Sequence, residues 1–149
     1  MAQVQEHHDR IFNLQFEIWN EFELLKFLMM KQNENNYDLE KRTLSFSKEL
    51  IQVLKRVPKN IITIPLIDQG LRAGTSIGAN YREANGSVSK KDFHSKIAIC
   101  KKESKESHYF LELLGNAVDD EEIKQELRDL WSETKEYILI FGKILSSSK

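Results

Sequence analysis

The side chains that could do chemistry in this chain are few and scattered. Gly70 to Ser76, GLRAGTS, is the best approach to a phosphate-binding loop. It lacks the lysine and one residue of the spacing that a P-loop needs, and it follows a helical pattern rather than a strand. His94 and His108 are fourteen residues apart on one predicted helix, about 21 Å along its axis, so they cannot share a metal ion within the chain. His7 and His8 sit in an N-terminal stretch of different character. Cys100 is the single cysteine, which excludes an internal disulfide and a cysteine-based zinc cluster. It falls on an apolar seam, the usual place of an inert structural thiol. Thr75 and Ser76 lie mid-helix, where hydroxyls commonly bond back to carbonyls. The expectation is a non-enzymatic protein with no cofactor and no metal.

Charge offers more. Between Ser87 and His108, Lys90, Lys91, Lys96, Lys101, Lys102 and Lys105 face only Asp92, Glu103 and Glu106, a local net charge of +3. Arg72 and Arg82 on the preceding helix extend this patch. Such a stripe can neutralise phosphates without reading sequence. The competing reading is a solvated helix face laced with i,i+4 pairs such as Lys102 with Glu106. The opening of the last helix is the acidic counterpart: Asp119, Asp120, Glu121, Glu122, Glu126 and Asp129 against Lys124 and Arg128, net −4. These opposite charges could instead pair between subunits. The whole chain carries a formal charge of −1, so no global field announces nucleic acid or an anionic membrane.

Four amphipathic helices must position these groups. The first runs from about Asp38 to Val57, with Leu39, Thr43, Phe46, Leu50, Val53 and Val57 in alternating steps of four and three. Leu44, Ile51 and Leu54 widen its apolar face. Pro58 ends it. The second follows Lys59 to Thr63, with Pro65 in the first turn. It carries two adjacent seams: Ile67, Leu71, Gly74, Gly78 and Tyr81 beside Leu66, Gly70, Ala73, Ile77 and Ala84. A helix with two buried faces is the most central of its set. Each Gly inside a helix costs roughly 1 kcal/mol relative to Ala. Gly70, Gly74 and Gly78 therefore need a compensating close approach, and helix packing through small residues supplies one. Asn85-Gly86 stops this helix.

The third helix runs from about Lys90 to Leu114. Ser89 and Asp92 form its capping box, and its seam is Phe93, Ile97, Cys100, Ser104, Ser107, Leu111 and Leu114. Gly115-Asn116 is its expected close. The fourth runs from about Asp120 to Leu145, capped by Asp119 or Asp120, with Ile123, Leu127, Leu130, Thr134, Tyr137 and Phe141 inward. The SSSK tail, 146–149, reads as frayed.

Short connections make this an all-α, antiparallel up-down four-helix bundle over residues 37–145. The chain of 149 residues suffices for one domain with a proper core. Residues 1–36 differ. Phe12, Phe16, Trp19, Phe22 and Phe27 lie on nearly every side of a helical wheel, and a polar Lys31 to Asn36 linker follows. This is either an extra N-terminal helix that docks on the bundle or a partner, or a segment outside the functional domain with initiation at Met29 or Met30. No window of about 18 apolar residues lacks charge, so no membrane span is expected, and nothing reads as a signal peptide. The expected location is the cytoplasm.

Three stretches resemble a known family: DLEKRTLSFSKEL (38–50), PLIDQGLRAGTSIGANYREANG (65–86) and SKKDFHSKIAICKKESKESHYFLELL (89–114). They are similar to the four-helix-bundle family of 23S rRNA intervening-sequence proteins, over about Tyr37 to Leu145. RAGTSIGANYREA and the following S-K-K-D-F are the specific motifs. Gly74 and Gly78 match the family pattern, whereas Gly70 stands where a larger aliphatic is usual. The resemblance implies a left-handed bundle assembled as a homo-oligomer, a pentamer with a central channel, and no established enzymatic activity. Some members are encoded within insertions in 23S rRNA genes, which implies an RNA connection. The family also looks related to the accessory variability determinant proteins of diversity-generating retroelements, basic pentameric barrels that bind nucleic acid and a reverse transcriptase. The resulting expectation is a homo-oligomer associated with RNA, or alternatively a protein–protein scaffold that ignores nucleic acid.

Overall fold

The computed structural model describes residues 2–3 and 39–147. The expected N-terminal docking helix, the alternative start, the linker and His7-His8 lie outside the described residues. Four helices follow one another: α1 Leu39–Arg56, α2 Thr63–Asn85, α3 Lys90–Ala117 and α4 Glu121–Ser147.

The local signals act as their chemistry dictates. At the start of α2, Asn60 Oδ1 accepts from the amides of Ile62 and Thr63, both at 2.9 Å, while Thr63 Oγ1 accepts from the Asn60 amide at 3.0 Å. This reciprocal exchange satisfies donors that a helix start leaves open. Ser89 Oγ accepts from Asp92 N at 3.1 Å and caps α3. Asp120 Oδ1 accepts from Ile123 N at 2.9 Å and caps α4.

Two ends differ from expectation. α3 does not close at Gly115-Asn116 but continues to Ala117, and the Val118 amide still reaches Leu114 O. Gly115 keeps the helical path, and the extra turn carries Val118 into the core, where it is buried. α4 likewise continues past Leu145 to Ser147, whose hydroxyl donates back to Lys143 O.

The cross-contacts run antiparallel throughout. Going up α2, Gly74 meets Leu50 and Gly78 meets Thr43, so α1 descends beside it. Gly70 meets Leu114, Gly74 meets Ser107, and the Cys100 thiol lies 3.6 Å from Ile77 O, so α3 descends on the other side. His108 stacks on Trp131, and Lys101 lies against Gly142, which sets α4 antiparallel to α3. Arg42 bonds Glu133, and Arg56 bonds Glu126, which closes the ring between α1 and α4.

The core is built from the expected seams of all four helices, with Leu50, Ile77, Ile97, Leu114, Tyr137 and Phe141 fully enclosed. Phe46 meets Tyr137 edge-on with centroids 5.5 Å apart. A polar layer of Thr43, Ser104, Ser107 and Thr134 crosses this core. Three of these hydroxyls bond back to their own helix, at Leu39 O, Cys100 O and Trp131 O. Ser107 Oγ has no partner among the described residues.

Three residues expected to face the core do not. Leu44, Ile51 and Leu71 are exposed. They sit on the rims of the α1–α2 contact, and no other described helix covers that side.

Candidate nucleic-acid interface

α3 spends its charged residues in two directions. Glu103 and Glu106 turn toward α2, where Arg72 meets them, and Lys96 turns toward Glu83 of α2. Arg72 reaches Glu103 Oε2 at 3.3 Å with Nη1 and bonds Glu106 with Nη2. About two turns earlier on α3, Lys96 Nζ donates to Glu83 Oε2 at 2.7 Å. Glu106 raises the Arg72 pKa and Glu83 raises that of Lys96, each mainly through its hydrogen bond. On the far side of α2, Arg82 Nε donates to Glu40 Oε1 at 3.0 Å and Asn85 donates to the other oxygen at 3.1 Å. The partners of Arg72 and Arg82 are therefore internal. Arg72, Arg82 and Lys96 tie helices together, and their charge is locally compensated.

The lysines fare differently. Helical geometry puts Lys91, Lys102 and Lys105 within about 60° of one another on the outward side of α3. All three are exposed, and none makes an ion pair among the described residues. Lys101 lies at the edge of this row toward α4. Its ammonium sits 3.5 Å from where a Cβ on Gly142 would be, so the missing side chain there gives it room. Lys90 opens the helix and is half-buried. The expected basic stripe thus separates into a compensated set facing α2 and an uncompensated set facing solvent.

One residue of this face is not evident from the sequence. Tyr109 follows Lys105 by four positions and Lys102 by seven, and it is 58% exposed. With Ala98, Lys101, Lys102, Lys105, Glu106 and Leu145 it lines a shallow depression of about 670 Å³. The signal was in the i,i+3,i+7 spacing of Lys102, Lys105 and Tyr109, but an aromatic at that spacing is read first as core.

The remaining candidates carry no chemistry. Cys100 is enclosed, and burial pushes its thiol up to about 12, far from a usable thiolate. His108 Nδ1 lies 3.0 Å from Thr134 Oγ1, and its ring stacks on Trp131 at 4.5 Å. Thr75 and Ser76 donate to Leu71 O and Arg72 O. Among the described residues no group of three His, Cys, Asp or Glu side chains is placed to hold a metal ion. No helix among them is long and apolar enough to cross a membrane. Of the acids opening α4, Glu122 and Glu126 pair with Arg56 of α1.

A second cluster ties α1 to α4. Arg42 forms a two-pronged bond to Glu133, its Nη2 at 2.9 Å from Oε2, and also reaches Glu136 at 3.1 Å. Tyr137 OH donates to Arg42 O at 3.2 Å. Burial works to raise the Glu133 carboxyl, but the Arg42 bond, the neighbouring Tyr137 hydroxyl and the guanidinium charge outweigh it and leave the carboxyl below its usual value.

The family described as 23S rRNA-intervening sequence protein matches residues 35–139, spanning α1 to α3 whole and most of α4. The chain belongs to this family. A crystal structure of a protein with unknown function from the S23 ribosomal protein family of Bacteroides thetaiotaomicron is similar to this chain. It is 30% identical, with a TM-score of 0.61, over 71% of this chain and 96% of that one. A search of curated proteins gave no match.

Proposed function

We propose that this chain is a self-assembling, non-enzymatic bundle that associates with nucleic acid, structured rRNA first. The observation that carries the reading is the outward row of Lys91, Lys102 and Lys105, with Lys101 at its edge, which makes no ion pair among the described residues, while Glu103 and Glu106 of α3 are engaged by Arg72. Lysines free of carboxylates can release counterions from phosphates, which drives non-specific binding. Arg72, Arg82, Lys90 and Lys96 then act as flanking charge and as struts that hold α3 in place. The family's link to rRNA, carried in its name, points the same way.

Self-association draws on a different side. Leu44 and Ile51 on α1, with Ile64 and Leu71 on α2, leave an exposed apolar strip along the α1–α2 groove. A strip of this kind marks a contact surface. A homo-oligomer closed through it, a pentamer being the number expected, would multiply the lysine faces around its outside and raise avidity for RNA.

Binding of labelled rRNA fragments over a salt series tests this. Affinity should fall steeply with salt, and Lys102→Gln with Lys105→Gln should flatten the slope by about one to two units. No binding at low salt by a folded oligomer would leave the protein–protein scaffold as the reading. A chain that remains monomeric at high concentration in sizing experiments would exclude both.

A further inference from the structure

We infer that the α3 lysine face takes unpaired, single-stranded nucleotides, with Tyr109 as a platform on which a base stacks. The inference rests on the nucleic-acid reading above and specifies the substrate class of that same face.

Tyr109 leaves more than half its surface in water, although a large apolar ring gains by burial. Its only ring neighbour among the described residues is Phe110 at 5.3 Å, edge-on, which leaves a broad face of Tyr109 unused. From it the depression runs past Lys105 and Lys102 on the same helix face to Ala98, about 16 Å away along the axis, and Leu145. From Lys102 to Tyr109 is about 10 Å along the axis, and from Lys105 about 6 Å. Cations beside an exposed ring are the two halves of a single-strand site: phosphates go to the lysines and a base to the ring.

A duplex cannot use this arrangement. Its bases are stacked on one another, and a convex helix carrying one tyrosine meets only backbone or groove edges. The lysines would then bind alone and Tyr109 would contribute nothing. A strand with splayed bases, as in a loop or bulge of folded RNA, uses both. The depression is also shallow and open, which suits a nucleobase lying flat better than an enclosed small molecule.

The test compares one single-stranded RNA oligonucleotide with the same oligonucleotide annealed to its complement, at low salt, with the full chain. The wild type should prefer the single strand. Tyr109→Ala should weaken single-strand binding roughly 10- to 100-fold and leave duplex binding unchanged, and Tyr109→Phe should keep the affinity. Lys102→Gln with Lys105→Gln should weaken both. Tyr109 is a surface residue, so a melting curve that matches the wild type confirms that each variant is folded. If the wild type binds both RNAs and Tyr109→Ala changes neither, the stacking inference fails and the nucleic-acid reading stands. If the wild type binds neither, both fail. If Tyr109→Ala instead dissociates the assembled protein in sizing experiments, the ring is a subunit contact and the inference is overturned.

Discussion

Gly70 and Gly74 lie one turn apart on α2, both buried, and the same substitution should affect them differently. A Cβ at Gly70 would meet Leu114 Cδ1 at 3.5 Å and Phe110 Cβ at 3.6 Å, ordinary contact distances. Gly70→Ala therefore adds a methyl group to a space that accepts it and removes a helix-interior glycine, worth roughly 1 kcal/mol. A Cβ at Gly74 would overlap Leu50 Cδ2 and press on Phe46 Cε1 and Ser107 Oγ, each at 3.3 Å. Leu50 is completely enclosed, so its methyl group has no open space to swing into. Overpacking of that kind costs about 1–3 kcal/mol, which offsets or exceeds the same helix-propensity gain. Because the gain is common to both variants, their difference isolates the cost of crowding α1 against α2. Gly70→Ala should melt about 4 °C above the wild type, and Gly74→Ala should melt about 4–12 °C below Gly70→Ala. Thermal and urea unfolding followed by helical circular dichroism, at one fixed protein concentration, measures this. If Gly74→Ala proves as stable as Gly70→Ala, α1 does not approach α2 closely at Gly74, and the crowding assigned to Leu50 is wrong.

Glu133→Gln should lower the neutral-pH stability by about 1 kcal/mol, since it breaks a half-buried, two-pronged bond to Arg42. The native carboxyl sits below its ordinary value of 4.5, so its contribution is full above that pH and is lost as pH falls through the native value. The melting-temperature gap between wild type and Glu133→Gln should therefore be constant at neutral pH and close in acid; a gap that widens in acid would contradict the sign. Ser107→Ala should be neutral or stabilising by up to about 1 kcal/mol, because the hydroxyl it removes is buried without a partner among the described residues and Ala is the better helix former. A clear loss of stability in urea titration would mean that this hydroxyl has a partner after all.

Much of the architecture was legible because it is local. Alternating steps of four and three placed Phe46, Leu50, Ile97, Leu111, Leu127 and Tyr137 inward, and all are buried. The Ser89 and Asp120 caps were readable because a cap is made by a side chain and an amide three residues on. The stop at Gly115 was not, because Val118 gains its place in the core only through a helix that runs past the glycine. The candidate site was legible in composition but not in geometry. Lys102 and Arg72 look alike in sequence, yet among the described residues one makes no ion pair and the other holds Glu103 and Glu106.

The sequence by itself determined the four helices, their order, their inward seams and the basic character of α3. Periodicity fixes an angle about a helix's own axis, and that suffices for all of these. It does not say where the neighbouring axes stand. Only the tertiary structure decided that Arg72, Arg82 and Lys96 are struts, that Leu44, Ile51 and Leu71 fall outside the core, and that Tyr109 is left exposed rather than covered by a neighbouring described helix. Each of those depends on which helix lies across the gap, and on whether any helix lies there.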